Sequence, residues 1–111
     1  MFPLTDRSGD RDLLAALASG EELAAVEFVQ RFEGRVFGLA LSITRDRGLA
    51  EEVAQEAFLR AWRAAAGYDP GRGSALTWLL TITRNLAIDA VRARRTVATD
   101  AAALEQLIAG C

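Results

Sequence analysis

Residues 74–95 read SALTWLLTITRNLAIDAVRARR and carry the clearest helical pattern of the chain. Their apolar residues recur at spacings of three and four, which is the period of one face of an α-helix. These positions are Leu76, Leu79, Leu80, Ile82, Leu86, Ala87, Ala90 and Val91. Ser74 is a preferred N-cap residue, so the pattern predicts a helix from about Ala75 to Arg95 with one buried face.

Three more helices are predicted upstream of this segment. They run from Asp10 to a stop at Ser19-Gly20, from near Glu21 to a turn around Arg45–Gly48, and from about Leu49 to Ala66. Gly48 suits the second of these turns, and Pro70-Gly71 ends the helical pattern after the third helix. Past Thr96 the chain is rich in alanine, and at most a weak helix is expected at residues 101–108.

The apolar positions at helical spacing are the expected core. In the first helix they are Leu13, Leu14 and Leu17, in the second Leu23, Val26, Val29, Phe32, Val36, Leu39, Ala40 and Ile43, and in the third Leu49, Val53, Phe58, Leu59 and Trp62. A chain of 111 residues has the length of one domain. The expected fold is therefore all-α, a compact three-helix bundle with a short N-terminal helix.

The composition argues against an enzyme. The chain has no His and no Lys, and all 13 of its basic residues are Arg, which removes imidazole bases, Schiff-base lysines and His-containing metal sites. Cys111 is the only cysteine; it is expected to be a tail residue and has no partner for an internal disulfide. A small hydrolase or transferase built on carboxylates would lack both a nucleophile–base pair and a phosphate loop.

No stretch reaches the roughly 20 apolar residues that a membrane span needs. The first six residues lack the pattern of a signal peptide, so a cytoplasmic protein is expected. The charge is unevenly distributed along the chain. Residues 71–95 hold five arginines and one aspartate, a net charge of +4, whereas residues 1–70 hold eight arginines and twelve acidic residues, a net charge of −4. This asymmetry fits two unlike partners, although charge alone fits an ordinary solvated surface equally well.

Two helix faces carry more specific information. In the third helix Glu52, Gln55 and Glu56 stand at i, i+3 and i+4 and share one face, which is either a solvated surface or a docking site. A carboxylate-bridged metal site at this face would require histidines that the chain lacks.

The second face follows a Gly-rich loop that carries Tyr68 and Arg72. On the fourth helix a polar series at steps of three or four shares one side, namely Trp78, Thr81, Asn85, Asp89 and Arg92. An aromatic ring for stacking, polar groups for base edges and arginines for phosphates suit single-stranded nucleic acid. In the competing interpretation, Trp78 is a core residue, Asn85 and Asp89 make local contacts, and the arginines complement the helix dipole.

Two segments resemble a known family. Residues 55–62, QEAFLRAW, are similar to the QE-x-F-L-x-x-W segment of extracytoplasmic-function (ECF) sigma factors of the sigma-70 family. Residues 77–92, TWLLTITRNLAIDAVR, are similar to the WL-x-x-I-A-R-N-L-A-I-D-x-x-R segment of the same family. The resemblance covers about residues 10–95, which corresponds to sigma region 2.

The resemblance implies two binding sites and no catalytic residue, cofactor or metal. The family docks this third-helix face on the clamp helices of the RNA polymerase β′ subunit, so it implies polymerase binding by Glu52, Gln55 and Glu56, with Leu59 and Trp62 behind them. In the same family, the loop and the helix that follows it open the promoter −10 element and hold a flipped non-template base. The implied DNA-binding positions are Tyr68, Arg72, Ser74, Trp78, Thr81, Arg84, Asn85, Ile88, Arg92 and Arg95.

The resemblance also implies an anti-sigma factor as a further partner. Residues 1–95 are then expected to form the region 2 domain, and residues 96–111 the start of a linker toward a C-terminal helix-turn-helix domain that reads the −35 element. That domain is absent from this sequence, so a fragment or a natural truncation is expected. The alternative function is a sigma mimic that sequesters an anti-sigma factor without binding polymerase.

Overall fold

The computed structural model describes residues 7–110, which form four α-helices and no strand. The helices are α1 (Arg7–Ala18), α2 (Glu22–Thr44), α3 (Arg47–Ala64) and α4 (Ala75–Ala109). Two single turns of 3₁₀-helix, Ala65–Gly67 and Pro70–Arg72, connect α3 to α4. The expected all-α class, with three main helices and a short N-terminal one, is confirmed.

The turns between the helices follow ordinary capping chemistry. Gly20, with φ of +83°, ends α1 at the predicted stop. Arg45 takes the left-handed conformation after α2 (φ 54°) and donates its N–H to the Leu41 carbonyl, while the next residue, Asp46, caps α3. The predicted turn around Arg45–Gly48 is confirmed at Arg45 and Asp46, but the turn role of Gly48 is wrong, because these two residues complete the turn and Gly48 already lies in the first turn of α3.

The core combines large side chains from α1, α2 and α4 with small ones from α3. Phe28 is buried and meets both Phe32 and Phe58 edge-on, with ring centroids 5.4 and 5.7 Å apart. By contrast, α3 buries three alanines and a single larger residue, Val53. Small side chains let helix backbones approach closely, so α2 and α4 both pack against α3.

Several predicted core positions are wrong. Leu23 and Val26 are 84% and 53% exposed, because Ala24 and Phe28 occupy the buried face of α2 in their place. Leu59 and Trp62 are 42% and 52% exposed, because the alanines of α3 already fill the side that faces the bundle. The predicted first-helix core of Leu13, Leu14 and Leu17 is buried as expected.

The fourth helix is longer than its sequence pattern suggests. It begins at Ala75 as predicted, but it continues past Arg95 to Ala109 as one helix of 35 residues. Alanine-rich sequence without Gly or Pro favours this continuation. Every described residue beyond Val91 is exposed, so the helix extends away from the bundle and the molecule measures 65 × 25 × 25 Å. Cys111 lies outside the described residues, and the assignment of residues 96–111 to a linker stays a prediction.

Candidate functional site

The exposed side of α3, which we call the α3 face, consists of Glu52, Gln55, Glu56, Leu59 and Trp62. At about 100° per residue these five positions fall within roughly one third of the helix circumference. Four of the side chains are exposed and Glu56 is half-buried. The buried alanines Ala50, Ala57 and Ala61 lie on the opposite side of the helix. The structure therefore brings all five predicted polymerase-binding residues onto one accessible surface.

The carboxylates of α3 differ in how they are paired. The Arg60 Nε donates to Glu56 Oε1 over 3.4 Å, and Glu51 faces Arg47 at 3.9 Å. Both are exposed i,i+4 pairs, which contribute little to stability. Among residues 7–110 no ion pair engages Glu52. Its charge is thus the most available one on the α3 face.

An apolar groove runs between α2 and α3 beside these charges. Leu59 and Trp62 border it, and Val29 and Phe58 are part of its lining, with Gln55 contributing its only polar side chain. An apolar groove on the same helix as the carboxylates of the α3 face suits a partner helix that offers both apolar residues and cations.

The loop between α3 and α4 is held by contacts within the chain. The Tyr68 hydroxyl donates to the Gly73 carbonyl over 2.8 Å, and the N–H of Gly71 donates to Asp69 Oδ1 over 2.9 Å. Gly73 has φ of +149°, a conformation that favours glycine. The loop therefore has a defined path, with the Arg72 side chain exposed.

Three of the predicted DNA-binding residues also have structural roles here. The Ser74 hydroxyl accepts the Thr77 N–H over 3.1 Å, which is the predicted N-cap of α4. Trp78 is half-buried against the core, and its ring centroid lies 5.4 Å from that of Tyr68 with the planes tilted by 56°. The alternative that Trp78 is a core residue is thus partly correct: Trp78 packs on the bundle and is still partly accessible to solvent.

The exposed polar side of α4, which we call the α4 face, lies opposite the helix's buried side. Its exposed members are Thr81, Arg84, Asn85, Arg92 and Arg95, and Ile88 is half-buried among them. Leu79, Thr83 and Ala87 occupy the buried side. No ion pair among residues 7–110 engages Arg84, Arg92 or Arg95, so the local pairing of Asp89 with Arg92 that the competing interpretation allows is not present there.

An ion pair that the sequence did not reveal joins α4 to the start of α3. Asp46 accepts the Leu49 N–H at Oδ1 over 2.9 Å and the Arg94 Nη1 at Oδ2 over 2.6 Å. The backbone hydrogen bond from Leu49 and then the Arg94 guanidinium hold the pKa of Asp46 below its ordinary value of 3.8. An Asp directly before a helix is a recognisable cap signal, but its partner 48 residues away requires the tertiary fold.

Residues 7–110 contain no group of three or more His, Cys, Asp or Glu that could hold a metal ion. Within the same residues, no helix combines the length and the apolar character that crossing a membrane requires.

Comparison with known proteins identifies the family of this chain. Residues 28–97 match the family model for sigma-70 region 2. Relatives named ECF RNA polymerase sigma factor SigK include that of Mycolicibacterium vanbaalenii, which is 42% identical over 87 residues (78% of this chain, 44% of that protein). The SigK of Mycobacterium tuberculosis is 43% identical over 86 residues (77% of this chain, 46% of that protein), and that of Mycobacterium ulcerans is 43% identical over 90 residues (80% and 48%).

The chain thus spans a little under half the length of these relatives. Sigma factors are transcription initiation factors and not enzymes, in agreement with the composition. The match covers both sequence segments that resemble the family and most of the helices that carry the two faces. This chain belongs to the ECF sigma factors of the sigma-70 family.

Proposed function

We propose that this chain is the region 2 part of an ECF sigma factor, which binds core RNA polymerase through the α3 face and the promoter −10 element through the α4 face. The observation that carries the proposal is the two-sided build of α4. One side packs into the bundle, and the other presents hydroxyl, amide and guanidinium groups to solvent. Among residues 7–110 no other helix forms an ion pair with the arginines of this face, which suits it to bind a partner outside the domain.

The α3 face supports the polymerase half of this proposal. Glu52 supplies a negative charge that no ion pair engages among residues 7–110, and Leu59 and Trp62 supply exposed apolar area beside the groove. Exposed aromatic residues next to a pocket commonly contribute most of the energy of a protein interface. The proposed partner surface is the pair of clamp helices of the polymerase β′ subunit, with cations opposite the carboxylates.

The α4 face supports the promoter half. Arg84, Arg92 and Arg95 would neutralise backbone phosphates, and Asn85 would hydrogen-bond the edge of an unpaired base. Trp78 is partly accessible and would stack on an unpaired base, with Tyr68 in ring contact beside it. Such a face binds unpaired bases better than paired ones, so it would favour the melted state without any covalent chemistry.

An anti-sigma factor is the third proposed partner. The exposed apolar area at Leu59 and Trp62 and the cationic α4 face are both surfaces that an inhibitor could cover. Competition between such an inhibitor and core polymerase would follow if both use the α3 face.

The test is a titration of this chain against an isolated β′ clamp-helix fragment, followed by fluorescence anisotropy. Saturable binding is expected, and Glu52→Lys should weaken it at least about tenfold, since reversing a close charge costs well over 1 kcal/mol at an interface. Glu52 is preferable to Glu56 because Glu56→Lys would also break the Arg60 pair.

Glu105→Lys is the matched control, since it makes the same charge change on the exposed extension of α4, away from the α3 face. It should bind the fragment as the wild type does. Absence of binding by a folded wild type would contradict the polymerase assignment and favour the sigma-mimic alternative.

A further inference from the structure

The arginines at the point where α4 leaves the bundle, Arg92, Arg94 and Arg95, lie on two different sides of the helix. Arg92 follows Asn85 by seven residues, about two helical turns, so both lie on the α4 face. Arg94 follows Asn85 by nine residues, about two and a half turns, which places it on the opposite side. It follows the buried Ala87 by seven residues and therefore continues the core-facing side of the helix.

Arg94 stands at the point at which α4 leaves the bundle. Val91 is half-buried, and all later described residues are exposed. The Arg94 guanidinium reaches Asp46 Oδ2 at 2.6 Å, and the other oxygen of that carboxylate caps α3. Asp46 itself sits in a defined turn, where its N–H faces the Thr44 hydroxyl at 3.4 Å and Arg45 closes α2. One carboxylate thus joins the α2–α3 turn, the start of α3 and the base of the α4 extension, by which we mean the exposed residues 92–109.

We infer that Arg94 is a positioning residue: its ion pair with Asp46 fixes the base of the α4 extension on the bundle and so sets where Arg92 and Arg95 are presented. Arg94 then contributes no phosphate contact, whereas its two neighbours do. The lack of a phosphate contact at Arg94 rests on the proposed function, whereas the fixing of the helix base by its ion pair does not.

The test uses the 111-residue chain and the variants Arg94→Gln, Asp46→Asn and their combination. Asparagine keeps the capping oxygen, so the start of α3 is preserved while the charge is removed. The first readout is amide hydrogen exchange of residues 93–98. Either single variant should speed this exchange about two- to five-fold, the factor that a surface ion pair is worth. The combined variant should exchange no faster than the single ones, and Arg94→Lys should recover part of the protection.

The second readout is binding to a fluorescent single-stranded −10 oligonucleotide at several salt concentrations. Arg95→Gln is the matched control, because it removes the adjacent arginine from the α4 face. It should leave the exchange unchanged and reduce the slope of log affinity against log salt by about 0.7, the value for one phosphate contact on a single strand. Arg94→Gln should leave that slope unchanged and lower the affinity at each salt concentration, as Asp46→Asn should.

Two results would overturn the inference. One is an unchanged exchange rate in Arg94→Gln, and the other is a drop in its salt slope as large as that of Arg95→Gln. If the wild type binds no oligonucleotide, the proposed promoter contact fails, and the exchange comparison alone decides the role of Arg94.

Discussion

Replacing Trp78 by alanine should weaken both the fold and the binding of single-stranded DNA, because Trp78 packs on the bundle and is also partly accessible to solvent. A fully buried Trp→Ala change costs about 3–5 kcal/mol. Trp78 is half-buried, so about 2–3 kcal/mol is expected, including about 1 kcal/mol for the lost ring contact with Tyr68. Loss of one stacked base should add a separate binding cost of about 1–3 kcal/mol.

The assay has two parts, urea unfolding followed by circular dichroism and an oligonucleotide titration in buffer. A domain stability of about 5–15 kcal/mol leaves the variant folded under the titration conditions, so the two losses can be measured separately. Trp62→Ala is the control, since Trp62 is 52% exposed on the α3 face and makes no ring pair in the described structure. It should lose about 1 kcal/mol of stability and leave the DNA affinity unchanged.

Either of two results would refute this reasoning. Wild-type stability in Trp78→Ala would show that the ring does not support the bundle. A destabilised variant that binds the oligonucleotide as tightly as the wild type would show that Trp78 is a core residue only.

Three further predictions concern single contacts. Asn85→Ala should leave the urea midpoint unchanged and weaken oligonucleotide binding by about 1–2 kcal/mol, since Asn85 is exposed; unchanged affinity would remove it from the site. Asp10→Ala should lower the unfolding free energy by about 1–3 kcal/mol, because Asp10 is buried and its 2.7 Å pair with Arg31 joins α1 to α2. Glu27→Ala removes an exposed ion pair of the same arginine and should lower the unfolding free energy by only about 0.2–0.5 kcal/mol. Equal losses in the two variants would contradict a stabilising role of the buried pair. Asp46→Asn should flatten the acid side of the plot of unfolding free energy against pH. Because the pKa of Asp46 is lowered in the fold, its charged form stabilises the fold above about pH 4, and this effect is lost as the pH falls through the lowered pKa. The difference in unfolding free energy between wild type and variant should therefore narrow below about pH 4.

The helices could be predicted from local chemistry because their ends are set by residues close in sequence. Ser74 caps α4 through Thr77, and Gly20 ends α1, and both are visible as residue types at a change of pattern. The two faces could also be predicted, since residues at steps of three and four share a side of a helix whatever the bundle does with it. Their assignment to polymerase and promoter came from resemblance rather than spacing.

The errors arose where the choice between positions depends on packing. Hydrophobicity favours Leu59 and Trp62 as core residues, yet the close approach of helices requires alanine on the buried side of α3. In α2 two overlapping apolar stripes exist, and Phe28 decides between them through its contacts with two other rings. The pair of Asp46 with Arg94 joins residues that only the folded bundle brings together.

The most direct test of the central claim measures whether both faces act in one complex. Core RNA polymerase, this chain and a labelled single-stranded −10 oligonucleotide are mixed, and the anisotropy of the oligonucleotide is recorded against the concentration of the chain. A ternary complex is expected when all three components are present. Glu52→Lys should weaken it through loss of polymerase, and Asn85→Ala should weaken it through loss of DNA. A ternary complex that forms equally well with both substitutions combined would refute the assignment of the two faces.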